Sequence, residues 1–535
     1  MNKKLLKNLC AVFLAGFMAL LLLPQSAQAQ EKEAYVVKSS NQKKLTFYYD
    51  DQKSSRTGTV WGIKETWKDQ YGGTYPAWSE TWGTWGTWGT PESKVTTAVF
   101  DASFKNYLPQ STKFWFLNFK KLKKIEGLTN LNTSKVTTMR GMFAGCQNLT
   151  SLNLSNFNAE NVKDMSSMFY GCQNLTSLDL SNFKTEKVQD MRGMFDGCQS
   201  LTSLNLSNFK TENVQDMSSM FSGCHNLTSP NLSNFKTENV QNMSYMFYGC
   251  QNLTSLNLSN FKTENVKNMS FMFCGCQNLT SLNLSNFKTE NVKDMMEMFS
   301  SCSSLTSLNL SNFNTENVQN MSSMFRGCQN LTSLNLSNFN TENVQNMSSM
   351  FYGCQNLTSL NLSNFNTEDV QNMSSMFYGC QNLTSLNLSN FNTEDVKYMN
   401  LMFSGCHNLT SLNLSNFKTE NVQNMSDMFY ECNSLQTIYC NNTWTCSVYW
   451  DMFYGCTSLQ GAVPYDASKT DASMANPETG YFTKKESTGV ATATTEANAN
   501  IQAIYSTDGK RLNELQRGLN IVRMSNGTTQ KILRK

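Results

Sequence analysis

The chain has 535 residues, with 43 Lys and Arg against 40 Asp and Glu, two His and a hydrophobic fraction of 39%. Such a near balance leaves no global basic field to hold nucleic acid or anionic lipid, so those partners are disfavoured. The length is ample for a large core if the apolar residues are regularly placed.

Residues 1–29 read as a signal peptide. Lys3, Lys4 and Lys7 form a basic n-region, residues 11–23 are almost all apolar, and Ala27-Gln28-Ala29 supplies an A-x-A cleavage site. The apolar run is too short and wrongly flanked for a transmembrane helix. Cys10 precedes the apolar core and is poorly placed for lipid attachment. Cleavage before Gln30 removes three lysines and no acid, leaving 40 residues of each sign in an exported chain with no transmembrane segment.

Residues 30–120 form an N-terminal cap module. Its most unusual stretch is WSETWGTWGTWGT at 78–90, where Trp82, Trp85 and Trp88 recur at a step of three. Exposed aromatics stack on sugar rings or fill partner pockets, which makes these three candidate ligand-binding residues. The alternative is an expanded low-complexity loop.

Residues 121–460 are a repeat array. Cysteine falls at Cys146, Cys172, Cys198, Cys224, Cys250, Cys276, Cys302, Cys328, Cys354, Cys380, Cys406 and Cys432, a constant step of 26. A Met-Phe pair keeps the same step from Met142-Phe143 to Met428-Phe429, and Met452-Phe453 marks a slightly shortened thirteenth copy. A fixed period without insertions makes each unit one coil of a solenoid. Within one coil, Leu149, Leu152 and Leu154 follow the L-x-x-L-x-L strand signature of leucine-rich repeats. Val162, Met165, Met168, Phe169 and Cys172 then recur at helical spacing, and Gly171 stands where a helix commonly ends in a left-handed residue. The pattern predicts an α/β leucine-rich-repeat solenoid of about thirteen coils, with a short parallel strand and a short helix in each. A parallel β-helix is the alternative, because Phe157 stands at the ninth position where ordinary leucine-rich repeats carry Asn or Cys. Pro230 replaces the second leucine of one coil and predicts a local defect there.

The ladder cysteines read as small buried hydrophobes with free thiols. Equivalent thiols in adjacent coils would lie ~5 Å apart, yet parallel side chains make poor disulfide geometry. Cys440, Cys446 and Cys456 with Cys432 form a denser group, for which a capping disulfide is an option in an oxidising compartment. Zinc fits less well, since a structural site needs four converging ligands at paired short spacings.

Catalysis is not expected. His225 and His407 are seven coils apart, and no nucleophile-elbow, zincin or phosphate-loop motif occurs. No metal or cofactor is expected either. Outward strand positions such as Thr150, Ser151, Asn153, Ser155 and Asn156 hardly vary between coils, which suits a repetitive ligand or none. Variation collects around the expected helix, at the pair 166–167 and at the residue after the Met-Phe pair, where Tyr170, Tyr248, Tyr352 and Tyr378 are candidate ligand-binding residues. Many weak sites along one solenoid would give avidity; the alternative is neutral drift on a solvated face.

Residues 461–486 read as a C-terminal cap, 487–500 as a Thr/Ala/Asn-rich linker and 501–535 as a β-hairpin tail, with Asp508-Gly509 and Asn526-Gly527 at turns. The tail is read either as a sorting or anchoring signal or as a small stabilising β unit.

With these units in hand, the chain resembles the BspA-like leucine-rich repeat surface proteins over roughly residues 34–483. The resemblance rests on LTSLNLSNFNTENVQNMSSMFYGC-type repeats, on AYVVKSSNQKKLTFYYDD at 34–51, VTTAVFDASFKNYLPQSTKFWF at 95–116, GLTNLNTSKVTTMRGMF at 127–143, and on GYFT at 480–483. It implies an exported protein, at the cell surface (outer membrane) or secreted. It also implies an adhesin role toward a host extracellular matrix protein, a surface glycan or other bacterial cells. A structural or antigenic rod without a dedicated ligand is the second class. The tail is similar to C-terminal sorting tails of secreted Gram-negative proteins.

Overall fold

The computed structural model describes residues 31–69, 71–79, 93–485, 501–524 and 529–534. The signal segment and Trp82, Trp85 and Trp88 lie outside the described residues. The chain divides into two compact units, Met1–Phe482 and Thr483–Lys535.

The first unit opens with strands β1 (Glu33–Lys38), β2 (Lys44–Asp50), β3 (Thr59–Gly62), β4 (Thr66–Lys68), β5 (Thr74–Pro76), β6 (Thr97–Phe100) and β7 (Lys124–Glu126). Five of them form one sheet in the order β3-β1-β2-β6-β7, while β4 and β5 make a separate hairpin. β1 pairs antiparallel with β2 and β3, whereas β2–β6 and β6–β7 are parallel. Pairing thus changes from hairpin type to the parallel type that stacked coils require. Phe47 anchors the core of this module, stacked 4.5 Å from Phe100 and 5.4 Å from Trp115. The first bridge between coils, Ser111 to Thr138, starts inside the cap segment, so cap and solenoid share one continuous core.

Thirteen parallel bridges then run without interruption from Ser111 through Asp164, Asn268 and Asn372 to Val448. Each coil contributes one rung, as the 26-residue period requires. The solenoid is therefore present, but its second half-coil is built differently from the expectation. Among the described residues there is no α-helix; the helical segments are 3₁₀ turns of three to five residues, all outside the array except Leu128–Asn130 in its first coil.

The segment that carries helical spacing is instead a pair of tight turns. Met168 N–H donates to Met165 C=O at 3.2 Å and Cys172 N–H to Phe169 C=O at 3.1 Å. Ser167 (φ 56°) and Gly171 (φ 65°) occupy the third positions, where a type II turn needs a left-handed residue. The N–H groups between them leave the coil: those of Met165, Ser167, Phe169 and Gly171 donate to Asp190, Arg192, Met194 and Asp196 of the next coil at 2.6–3.0 Å. Two physical terms favour this over a helix. Eleven residues make a marginal helix, and Asp164 accepts the Ser166 N–H at 2.9 Å, an Asx turn that competes with helical bonding. The two turns still bury Met165, Met168, Phe169 and Cys172 completely, so the apolar stripe was real and its conformation was not helical.

The other half-coil carries L-x-x-L-x-L. Its strands are assigned only near the ends of the array: β8 (Ser177–Asp179) with β9 (Ser203–Asn205), and β10 (Ser411–Asn413) with β11 (Thr437–Tyr439) and β12 (Phe482–Thr483). The β8–β9 ladder stops one coil before Pro230, which has no N–H to continue it. The bridge from Asp216 to Asn242 passes that coil undisturbed. Elsewhere this side is tied by side chains. Asn364 Nδ2, for example, donates to Leu336 C=O at 2.9 Å and Phe339 C=O at 2.6 Å of the preceding coil. Buried threonines add a second row: Thr185 Oγ1 donates to Lys210 C=O at 2.8 Å and accepts the Lys210 N–H at 2.7 Å. Phenylalanines from Phe116 to Phe453 stack coil on coil, for example Phe351 on Phe377 at 5.6 Å and 8°.

Trp444, Tyr481 and Phe482 close the last coil, with Trp444 stacked on Phe417 and edge-on to Phe482. The second unit is an antiparallel sheet of β13 (Ile501–Ser506), β14 (Arg511–Leu512), β15 (Gly518–Met524) and β16 (Thr529–Arg534) in the order β14-β13-β15-β16.

Candidate functional site

The turn pair fixes which side chains face outward along one edge. In each coil these are the residue at the first left-handed position, such as Ser167, and the residue after the Met-Phe pair, such as Tyr170. Inter-coil hydrogen bonds hold both in register, so equivalent side chains stand one rung apart. From the fifth to the tenth coil this edge carries Tyr245, Tyr248, Phe271, Glu297, Arg326, Tyr352 and Tyr378. Tyr245 stacks on Phe271 at 4.4 Å and 9°, with Tyr248 5.6 Å from Tyr245. Arg326 lies over the Tyr352 ring at 4.7 Å, and Tyr352 stacks on Tyr378 at 4.5 Å. Tyr248 is 41% exposed, so part of this aromatic surface meets solvent. Large rings beside an arginine are the side chains favoured at protein-binding hot spots.

The predicted tyrosines are only partly brought together. Tyr352 and Tyr378 touch; Tyr248 joins Tyr245 and Phe271 instead. Tyr170 is isolated from all of these, three coils away and beside Asp196, where burial and that carboxylate raise its hydroxyl pKa. The position of Tyr245 and Phe271 reads as variable in the sequence, but on an expected helix it gives no reason to place these two rings against each other. Their signal was available: aromatic residues in consecutive coils at one variable position.

The ladder thiols point inward. Cys354 Sγ donates to Phe325 C=O at 3.2 Å, and every ladder cysteine repeats this contact to the preceding coil at 3.1–3.3 Å. Burial pushes all of these thiols up, to about 12 at Cys250, Cys328 and Cys380. Such thiols are poor nucleophiles and poor metal ligands. At the end of the array Cys440, Cys446 and Cys456 are likewise free, donating to Asn442, Val448 and Phe429 carbonyls. His407 Nδ1 lies 3.0 Å from Glu431 C=O and 2.9 Å from Asn433 Oδ1, a contact within the solenoid wall. No cluster of metal-ligating side chains is found among the described residues. No helix among them is long and apolar enough to cross a membrane.

A second feature escaped the sequence reading altogether. A cleft of about 420 Å³ opens in the N-terminal module between the β4–β5 hairpin and the chain entering the first coil. Tyr75 and Trp115 supply aromatic wall, while Lys64, Thr66, Gln110 and Lys113 supply polar groups. These residues are scattered over fifty positions, and only the fold assembles them.

Taken together, the chain is an exceptionally regular repeat solenoid that carries an aromatic edge and a lateral cleft. Family comparison then places it: the model described as "Mycoplasma protein of unknown function, DUF285" matches residues 111–229, 198–307, 277–360 and 355–465, and the chain belongs to that family. Among solved structures, a leucine rich cell surface protein from Faecalibacterium prausnitzii A2-165 is similar at 15% identity. It covers 84% of this chain and 97% of that one, with a TM-score of 0.27. The TLR13–ssRNA13 complex matches at 17% identity over 66% of this chain and 54% of that chain, with a TM-score of 0.20. No curated protein matches the sequence.

Proposed function

We propose that this is an exported, BspA-like surface protein that acts without catalysis as an adhesin, displaying its solenoid edge to host matrix proteins, glycans or other bacterial cells. The observation that carries this reading is the aromatic and cationic run from Tyr245 to Tyr378. It lies on the two positions that vary most from coil to coil and is held in register by inter-coil hydrogen bonds. Export is supported by the signal-peptide pattern of residues 1–29. A second reading, a length-variable antigenic surface protein, is favoured by one fact: residues 346–365 recur letter for letter at 372–391, which invites recombination.

The test is a binding screen of the purified chain against immobilised matrix proteins, a glycan array and co-resident bacterial cells. The proposal expects at least one micromolar interaction that the Tyr352→Ala/Tyr378→Ala double variant weakens by about tenfold. Absence of binding throughout, together with full tolerance of length variants, would favour the antigenic reading.

A further inference from the structure

The hydrogen-bond ladder of the turn pair is left open at both ends of the solenoid, in the same columns. In each inner coil four N–H groups donate forward to four carbonyls, as those of Met165, Ser167, Phe169 and Gly171 do. In the last coil, where Val448 bridges Asn424, the equivalent donors are Tyr449, Asp451, Phe453 and Gly455. The chain that follows supplies acceptors to two of them. Phe453 N–H donates to Thr470 C=O at 2.8 Å, and Gly455 N–H to the Tyr465 hydroxyl at 3.1 Å. Tyr449 and Asp451 N–H have no partner among the described residues. The first rung is the complement. Its acceptor positions are the carbonyls of Ser111, Lys113, Trp115 and Leu117, and the Trp78 indole N–H takes the third at 3.0 Å. The Ser111, Lys113 and Leu117 carbonyls accept from nothing among the described residues, and Ser111 and Lys113 line the cleft beside the β4–β5 hairpin.

The side chains at the two ends match as the backbones do. Tyr449 stands where every preceding coil from Met139 to Met425 buries a methionine, yet it is 42% exposed. Trp450 beside it is 68% exposed, its ring stacked 6.1 Å from that of Tyr449. Large exposed rings next to unpaired N–H groups are an unprotected edge, which proteins ordinarily cover. The charges are of opposite sign. Asp427, Glu431 and Asp451 crowd the last two coils, and burial together with the Asp451 carboxylate raises the Asp427 pKa. Lys64 and Lys113 line the cleft, with the Arg140 guanidinium 5.7 Å from the Phe114 ring that Lys113 also covers. Burial and Arg140 lower the Lys113 pKa, against an opposing pull from Asp164. Two free donors two residues apart thus face acids at one end, and two free acceptors two residues apart face bases at the other. That pairing singles out a second copy of this chain over a foreign peptide.

We infer that copies of this chain associate head to tail, the Tyr449–Asp451 segment of one entering the N-terminal cleft of the next. Tyr449 and Asp451 N–H then donate to Ser111 and Lys113 C=O, continuing the ladder from molecule to molecule. The two surfaces differ, so the contact is heterologous and grows as an open chain unless its rotation closes a ring. The inference does not depend on the adhesin reading, and its test uses no surface ligand.

The full chain should be followed by sedimentation velocity from about 5 to 200 µM. Its average mass is expected to rise through dimer, trimer and longer species, and less so at high salt. Trp450→Ser, which supplies the residue found at Ser374 and Ser426, should weaken association about tenfold with unchanged melting temperature. Asp451→Lys and Lys113→Glu should each be monomeric alone, and their equimolar mixture should associate again, because each altered end then meets an opposite charge. If Lys113→Glu melts early beside Asp164, the exposed Lys64→Glu takes its place in the mixture. A chain monomeric up to about 200 µM would overturn the inference. So would growth that stops at a symmetric dimer, undiminished association of Trp450→Ser, or no recovery in a mixture of variants that both melt normally. A monomeric chain whose cleft takes up an unrelated extended peptide would assign that end to a foreign partner and overturn it too.

Discussion

Raising the pH should unfold this protein in a way set by its cysteine count. Each ladder thiol is fully buried, and at Cys380 its pKa is pushed up to about 12, whereas an unfolded thiol titrates near 8.5. The folded state therefore keeps protons that the unfolded state loses. Stability is fully present below about pH 8.5 and falls as pH rises from there toward 12. Between pH 7.5 and 9.5 the loss is about 1.4 kcal/mol per thiol, hence about 1.4 kcal/mol per coil. Because a solenoid is close to a sum of coil and interface terms, that penalty recurs along the array rather than being absorbed at one place. Thermal melts by circular dichroism in reductant should show a steep fall in melting temperature over this range. Replacing Cys302, Cys328, Cys354 and Cys380 with Ala should cost stability at pH 7.5 but flatten the pH dependence of those coils. A melting temperature independent of pH from 7.5 to 9.5, or an equal fall in the four-Ala variant, would refute the buried-thiol argument. So would disulfides between consecutive ladder cysteines in protein alkylated without reductant.

Other consequences follow from the same geometry. Asn364→Ala removes the only hydrogen-bond donor to Phe339 C=O among the described residues and should cost about 1–3 kcal/mol in denaturant titrations. Asn364→Asp should cost more at pH 7 than at pH 4, since a carboxylate would face two carbonyl oxygens. Gly353 sits at φ 69°, where a built Cβ would make only ordinary van der Waals contact with the Gly327 backbone at 3.8 Å, and Ser301 and Glu431 occupy equivalent positions, so Gly353→Ser should cost no more than about 1 kcal/mol. Gly141→Ala should be far worse, because its Cβ would lie 2.5 Å from Phe114.

Much of this architecture was legible because the period is exact. The spacing of Cys, Met-Phe and Leu fixed coil length, core membership and the inward direction of every thiol. What the sequence misled on was the backbone between Val162 and Cys172. Two consecutive type II turns place apolar residues at the same three- and four-residue steps as a helix, so hydrophobic periodicity alone does not separate them. The Asp-x-Ser and Ser/Gly positions were the discriminating signal. Asn156 and its counterparts show a similar displacement: the inter-coil amide expected at the ninth position acts from the eighth. The edge aromatics could be read as variable positions, but not as neighbours. The cleft was illegible, because Lys64, Tyr75, Gln110 and Lys113 converge only through the β4–β5 hairpin.

The most direct test of the adhesin reading is avidity against coil number. Variants lacking one, two or three whole 26-residue units from the 320–397 region should fold, because each junction recreates an existing coil interface. On an immobilised ligand-bearing surface, their dissociation should quicken stepwise with each coil removed, most sharply when the unit carrying Tyr352 or Tyr378 is lost. Dissociation rates independent of coil number, and unchanged by loss of those tyrosines, would contradict the claim that the solenoid edge is the binding surface.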